Sequence, residues 1–418
     1  VLTGGTVAVV GPAPFGPLPL EAVLGNSASE VDKRCVVLIQ LTGGNDVLNT
    51  LIPYEDPDYH RSRPTLRTVA GKAHRINDHL ALHPALASVK ELLDRGKLGI
   101  IQGVGYPNSS RDHDQALQDW QTGLPGETME RSGWIGRVAD ELMTEPLCFA
   151  PALFVGTLRT PLALMGRRCI VPRVTEPGSL VQGLDKLDSS GTGEEAAGTS
   201  PAAVQAGSSQ GVTEFLRLTA WAAESLARRI HRVLESRGPA GDDSRFELER
   251  RLGVMASLIE ADVGIRFFYT DFGGAPPGGF DTHANQLENH HALLRELGQS
   301  ILTFINRLER IGRDRDVLLL TFSEFGRTLA ENGRHGTDHG AAGAMFAVGG
   351  GVRAGVLGSY PDLRDLDQGG LKVHTDYRAV YKTVLERWLG ISSLPAFGQT
   401  SFQAVDFLRP EVVVKVSI

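Results

Sequence analysis

The sequence predicts an α/β fold: a three-layer αβα arrangement around a mostly parallel central sheet. Three observations predict it. Residues 34–41, 98–104 and 317–322 are short apolar runs with the length and composition of strands buried on both faces. Helical patterns separate them, which gives the βαβ rhythm of a parallel sheet. Acids and histidines come directly after the apolar runs, at the strand ends where open α/β sheets bind ligands.

Residues 34–41 form a first buried strand, CVVLIQL, that leads into Thr42-Gly-Gly-Asn-Asp46. Residues 83–96 read as a helix with Pro84 near its start and Leu86, Val89, Leu92 and Leu93 on one face. Residues 98–104 are a second strand. Residues 111–122 and 133–142 read as helices, and 152–155 as a short strand. Residues 187–210, rich in Ser, Gly, Ala and Thr, read as a mobile surface loop or insertion. Residues 212–235 and 244–263 read as long helices, and 264–270 as a strand running into Gly279-Phe-Asp281-Thr-His283. Residues 293–311 carry an amphipathic stripe of Leu294, Leu297, Ile301, Phe304, Ile305 and Leu308. Residues 317–322 and 344–348 are further strands, and 375–389 a helix with Thr375 as N-cap. No internal repeat is visible.

At 418 residues and 41% hydrophobic content, the chain holds one large α/β domain or two of ordinary size. The formal net charge is -7, from 42 basic and 49 acidic residues. No basic stripe interleaved with aromatics appears, which argues against a nucleic-acid partner, and no apolar run is long enough for a transmembrane segment. Three cysteines are too few for a disulfide scaffold. Cys35 reads as a small buried hydrophobe, and Cys148 and Cys169 are able to form one bridge in an exported chain if their geometry allows it. Residues 1–33 read either as the remnant of an export signal or as an extended N-terminal arm, and 34–418 as one α/β domain.

Asp46, Asp281, His283, Glu324, Asp338 and His339 come from the ends of three predicted strands, so they converge if those strands are neighbours. Carboxylates and imidazoles together suit Zn²⁺ or Mn²⁺ better than Mg²⁺ or Ca²⁺, and the absence of a CxxC pair excludes a thiolate site. Each residue also has a structural reading. Asp46 makes an Asx-turn, Asp281 caps a helix near Thr282, and Glu324 pairs with Arg327. His290 and His291 lie on a helix surface, His335 is exposed in a Gly-rich loop, and Trp120 is core. The joint pattern favours chemistry, because independent turns need not recur at strand ends.

GGND, YPNSSRDHDQALQDWQTG, GWIGR, GGFDTHANQ, TFSEFGR and GTDHGAAGAMFAVGGG occur in an order that resembles the domain-of-unknown-function family numbered 1501. That family is a branch of the alkaline phosphatase and sulfatase superfamily, and the resemblance covers residues 36–390. It implies an alkaline-phosphatase-like fold and an exported bacterial protein, periplasmic or extracellular. Twin-arginine export is common in the family, although no twin arginine is present here. The superfamily pattern uses two metals with a Ser or Thr nucleophile between them. Carried over by motif, Asp46 resembles the metal-bridging acid of the first strand. Asp281, His283 and His339 look like the ligands of one metal, and Glu324 like the acid ligand of a second. Phe325 departs from the pattern where a histidine ligand is expected. Arg111-Asp112-His113 stands where relatives have Arg-Ser-His, so Asp112 replaces the expected nucleophile, either in the chemistry or as a helix cap.

The expected function is a metal-dependent hydrolase of phosphate or sulfate esters that uses one or two ions, with Arg111 or Arg327 clamping a small anionic ester and Asp112 and His113 among the catalytic groups. The alternative is a non-catalytic metal-binding or assembly protein with a protein partner. A phosphomutase-like transferase would need Asp112 as its nucleophile.

Overall fold

The structure, a computed structural model, describes residues 33–142, 151–157, 159–169, 171–175, 228–236, 244–274, 278–399 and 402–414. The N-terminal arm up to residue 32, the expected insertion at 187–210, Cys148 and most of the expected helix at 212–235 lie outside the described residues. Among the described residues, β1 (Cys35–Leu41), β2 (Leu98–Gly105), β3 (Ala152–Val155), β4 (Arg173–Val174), β5 (Phe267–Phe272) and β6 (Val317–Phe322) belong to the central sheet. After β6 comes a separate hairpin, β7 (Arg327–Glu331) and β8 (Thr337–His339). The sheet is completed by β9 (Gly343–Val348), β10 (Gly355–Leu357) and β11 (Thr375–Asp376).

The strand order is β10-β2-β9-β6-β1-β5-β3-β4, with β11 also paired to β2. Every pairing is parallel except those of β9, which runs antiparallel to both β2 and β6. The mostly parallel sheet therefore has one reversed strand near its middle.

Helices cover both faces. The helices α1 (Ala87–Asp94), α4 (Glu247–Glu260) and α5 (Gln286–Arg310) pack on one face, and α2 (His113–Thr122), α3 (Trp134–Leu142) and α6 (Tyr377–Lys382) on the other. The central strand shows why. In β1, Cys35, Val37, Ile39 and Leu41 enter one core while Val36 and Leu38 enter the other. A strand with no polar side can only sit between two apolar layers. Each such aliphatic side chain contributes roughly 1.5–3 kcal/mol through its burial. No described helix is long and apolar enough to cross a membrane.

Several boundaries differ from expectation. The helix expected at 83–96 begins as a 3-10 turn, Pro84–Leu86, with the His83 ring capping it, and only Ala87–Asp94 is α-helical. The helix α5 carries the predicted apolar stripe but starts seven residues earlier, at Gln286 after Asn285 in the left-handed region. Thr375 is not an N-cap. It pairs with Val104 in the sheet, and Asp376 caps α6 by accepting from Arg378 N. A π-helical turn, Thr383–Trp388, continues α6. Cys35 is buried as expected, which pushes its thiol up to about 12, and Cys169 is buried too.

The sheet order positions the candidate site. The strands β6, β1 and β5 are adjacent and parallel, with Gln40 beside Phe322 and Leu41 beside Phe272. Their carboxyl ends lie level, so the loops that leave them meet.

Candidate metal centre

Three loops and one helix start build the site. After β1, the Gly43–Gly44 turn runs against the 278–281 loop. A Cβ on Gly43, whose φ is +113°, would lie 2.3 Å from Asp281 N, so this approach requires glycine. The β7–β8 hairpin is pressed against the loop that leaves β5. Thr337 N donates to Thr282 O at 3.1 Å, and Asn285 N to Arg334 O at 3.0 Å. A Cβ on Gly336 would lie 2.3 Å from the carbonyl carbon of His283. These contacts bring Asp281 and His283 from one loop against Asp338 and His339 from the other. From the far side, α2 delivers His113 in its first turn.

One oxygen is the hub. Asp281 Oδ1 lies 3.0 Å from His283 Nε2, 3.2 Å from His339 Nε2, 3.4 Å from His113 Nε2 and 2.7 Å from Arg327 Nη2. His283 Nε2 and His339 Nε2 are 2.9 Å apart. Ligand atoms of His113, Asp281 and His339 all fall within 4.8 Å of one another, a spacing that one ion can span. A carboxylate oxygen accepts about two hydrogen bonds, so it cannot satisfy four donors. His113 Nε2 is in fact buried without a hydrogen-bond partner among the described residues.

Behind each imidazole stands an acceptor. His113 Nδ1 meets Glu324 Oε1 at 2.9 Å, His283 Nδ1 meets Asp338 Oδ1 at 3.1 Å, and His339 Nδ1 meets the Arg111 carbonyl at 2.6 Å. Partners that only accept place the proton on Nδ1 and leave an Nε2 lone pair facing inward. Lone pairs directed at a carboxylate oxygen repel it unless a cation lies between them. The residues present therefore fit a divalent ion.

The electrostatics agree in direction. Burial pushes the Asp281 carboxyl up, but the Arg327 guanidinium, with His339 and His283, outweighs this and holds it below the usual carboxylate range. Burial lowers His339. The hydrogen bond to Glu324 raises His113 above the ordinary imidazole range, against the opposing effect of burial.

Other expected site residues are placed elsewhere. Asp46 is fully buried and turned to Arg63, which grips it with Nη1 at 2.6 Å and Nη2 at 2.9 Å, while Gln286 Nε2 donates to it as well. Burial pushes its carboxyl up, and Arg63, with His290 and Gln286, outweighs this to hold it low. It also caps the short helix Val47–Thr50. Both oxygens are engaged, so the structure does not bring Asp46 into the cluster. Glu324 lies behind His113 rather than beside Asp281, and Asp338 lies behind His283. Arg327 makes no pair with Glu324. It is wholly buried, and its Nε, Nη1 and Nη2 donate to the carbonyls of Gly43, Gly44, Phe280 and Thr337 and to Asp281, so burial keeps it from an ester in solvent. The Arg111 guanidinium is held by the Asp367 and Gln368 carbonyls. Asp112 is exposed and caps α2 by accepting from Gln115 N at 3.0 Å. Asp281 caps no helix. Phe325 is buried against the rings of His339 and His113, at 4.4 and 4.9 Å between centroids, and walls the inner side of the cluster.

Sequence reasoning named His113 among the catalytic groups and not among the metal ligands; the structure sets its Nε2 3.4 Å from Asp281 Oδ1. The sequence gave no sign of Arg63 or Gln286. His290 was expected at a helix surface and is buried on α5, where Nε2 meets Asn45 Oδ1 at 2.9 Å, while His291 is exposed. His335 is exposed as expected, and Trp120 is core.

The family described as "Protein of unknown function (DUF1501)" matches residues 190–391 of this chain, which bears out the resemblance read from the motifs. The match begins beyond the GGND and Arg111-Asp112-His113 segments. No curated protein matches the sequence. Among solved structures, the chain is similar to a protein in the alkaline phosphatase superfamily from Vibrio parahaemolyticus, with 11% identity, 87% of this chain and 69% of that one covered, and a TM-score of 0.38. It is similar to the lipoteichoic acid synthase LtaP from Listeria monocytogenes, with 8% identity, 78% and 68% coverage and a TM-score of 0.37. It is similar to the PsFucS1 sulfatase from Pseudoalteromonas sp., with 11% identity, 95% and 74% coverage and a TM-score of 0.36.

Proposed function

We propose that the chain binds one divalent metal ion at His113, Asp281 and His339, with His283 at the open edge, and hydrolyses a phosphate or sulfate ester there, outside the cytoplasm. The observation that carries this reading is the convergence of three imidazole Nε2 atoms on one carboxylate oxygen, each ring backed by an acceptor at Nδ1. Three imidazoles and one carboxylate favour Zn²⁺ or Mn²⁺ over Mg²⁺ or Ca²⁺. When bound, the ion supplies Lewis-acid stabilisation of the negative charge that develops on an ester.

The protein's own groups do the rest. Arg327 holds Asp281 in place and ionised. Phe325 excludes water from the inner side. His283, with 31% of its side chain exposed against 18% for His113 and 20% for His339, marks the side from which an ester reaches the centre. A single ion is favoured because the carboxylate of Asp46 is already neutralised by Arg63.

A second reading, a metal-binding protein without catalysis, is favoured by one specific observation. Asp112, which stands at the expected nucleophile position, caps α2 instead. Elemental analysis and then an ester panel separate the two. The expected result is one zinc or manganese per chain, lost in Asp281→Ala, with metal-dependent turnover of a phosphomonoester, phosphodiester or sulfate. Metal content that Asp281→Ala leaves unchanged rejects both readings. Stoichiometric metal with no turnover on the whole panel rejects hydrolysis and leaves the binding role.

A further inference from the structure

We propose that Glu324 is a positioning residue that ligates no ion but holds His113, and thereby sets how tightly the centre takes its metal. The inference rests on the metal-binding reading. Glu324 is fully buried. Its Oε1 accepts from His113 Nδ1 at 2.9 Å and from Gly43 N at 2.8 Å, while its Oε2 lies 3.2 Å from Ser323 Oγ, whose single proton is shared with the Leu41 carbonyl at 2.6 Å. Both lone-pair directions of Oε1 are thus engaged, and among the described residues Glu324 shares no hydrogen bond or ion pair with Asp281, His283 or His339.

A carboxylate behind a metal-facing imidazole fixes the tautomer and ring orientation and raises the basicity of the inward nitrogen. Here the carboxylate is itself fixed by a backbone N–H in the Gly43–Gly44 turn. The same turn supplies the carbonyls that hold Arg327, which in turn holds Asp281. The GGND motif therefore contributes to the centre through its backbone: it orients the residue behind His113 and the residue behind Asp281. Asp338 stands behind His283 in the same way, but its side chain is 61% exposed and the contact is longer, 3.1 Å. Water competes for that contact, so Asp338 contributes less.

The test is competitive zinc titration of the purified full chain, with melting temperatures measured with and without zinc. Glu324→Gln keeps the shape and removes the charge. It is expected to weaken zinc binding about 10–100-fold with unchanged stoichiometry, and to shrink the zinc-induced rise in melting temperature. Its metal-free melting temperature should stay near that of the parent, which a merely structural role would not allow. Asp338→Asn is expected to weaken binding less than Glu324→Gln. If the Gln variant does not fold, Glu324→Asp, which withdraws the carboxylate by one methylene, takes its place with the same expected weakening. Unchanged affinity overturns the proposal, as does loss of a whole ion from the stoichiometry, which would make Glu324 a ligand. A parent protein that takes up neither zinc nor manganese instead overturns the metal reading on which the proposal rests.

Discussion

Asp112 stands where a nucleophile was expected, and its carboxylate accepts the N–H of Gln115. That bond is what an N-cap side chain makes, and asparagine makes it equally well. Asp112→Asn should therefore leave stability and zinc affinity unchanged, while Asp112→Ala should cost about 1 kcal/mol in urea unfolding. A large loss of metal or turnover in the Asn variant would return Asp112 to the site. Arg327 is the opposite case. It satisfies four backbone carbonyls and Asp281 from a fully buried position. Arg327→Met strands the carboxylate and the carbonyls together, and should destabilise the fold by about 3–5 kcal/mol. Lysine should not rescue it, because one ammonium cannot replace a planar fork. Near-parental stability of either variant in urea would show that these bonds matter little.

Among the elements, the β7–β8 hairpin decides whether a site exists. It carries His339 and Asp338 and lies against the loop of Asp281 and His283, with Gly336 at the closest point. Gly336→Ala sets a methyl 2.3 Å from the carbonyl carbon of His283, so one loop must move. Overpacking of this kind costs about 1–3 kcal/mol. Because the hairpin lies outside the central sheet, the variant should keep its far-ultraviolet circular dichroism and lose zinc uptake. Normal uptake would show that the loops adapt. The helix α5 was legible because its stripe repeats every turn, but its first two turns were not. That stretch carries Gln286 and His290, whose burial comes from contacts with Asp46 and Asn45 rather than from any apolar pattern.

At the scale of the molecule, two buried histidines set the response to acid. Burial lowers His83 to about 3 and His290 to about 4, with neighbouring charges adding to or opposing this. In the unfolded chain each titrates near its ordinary value of about 6.5. Below that value the unfolded state binds more protons, so stability falls as pH drops from about 6.5 towards 4. Each ring contributes a loss of roughly 1.4 kcal/mol for every pH unit crossed in that window. His113, whose pKa is raised, works in the opposite sense: its contribution is present in acid and lost as pH rises through its folded pKa. Asp46 and Asp281, held low, keep their contributions until pH falls below the ordinary carboxylate range. Urea unfolding at pH 7, 5.5 and 4.5 should show the loss, and His290→Gln should reduce its slope. A flat profile would mean that these rings take up protons without cost.

The sequence by itself determined the layers, the strands whose ends carry the chemistry, and the kinds of group delivered there. Those are local properties: an apolar run, a helical stripe or a glycine turn can be read within a few residues. Only the tertiary structure decided which groups face one another. Asp46 is claimed by Arg63, 17 residues away, and His113 by Glu324, 211 residues away. Arg327 turns from the nearby Glu324 to Asp281. A buried carboxylate takes whichever cation or donor the packing brings within hydrogen-bond reach, and no sequence period records that choice.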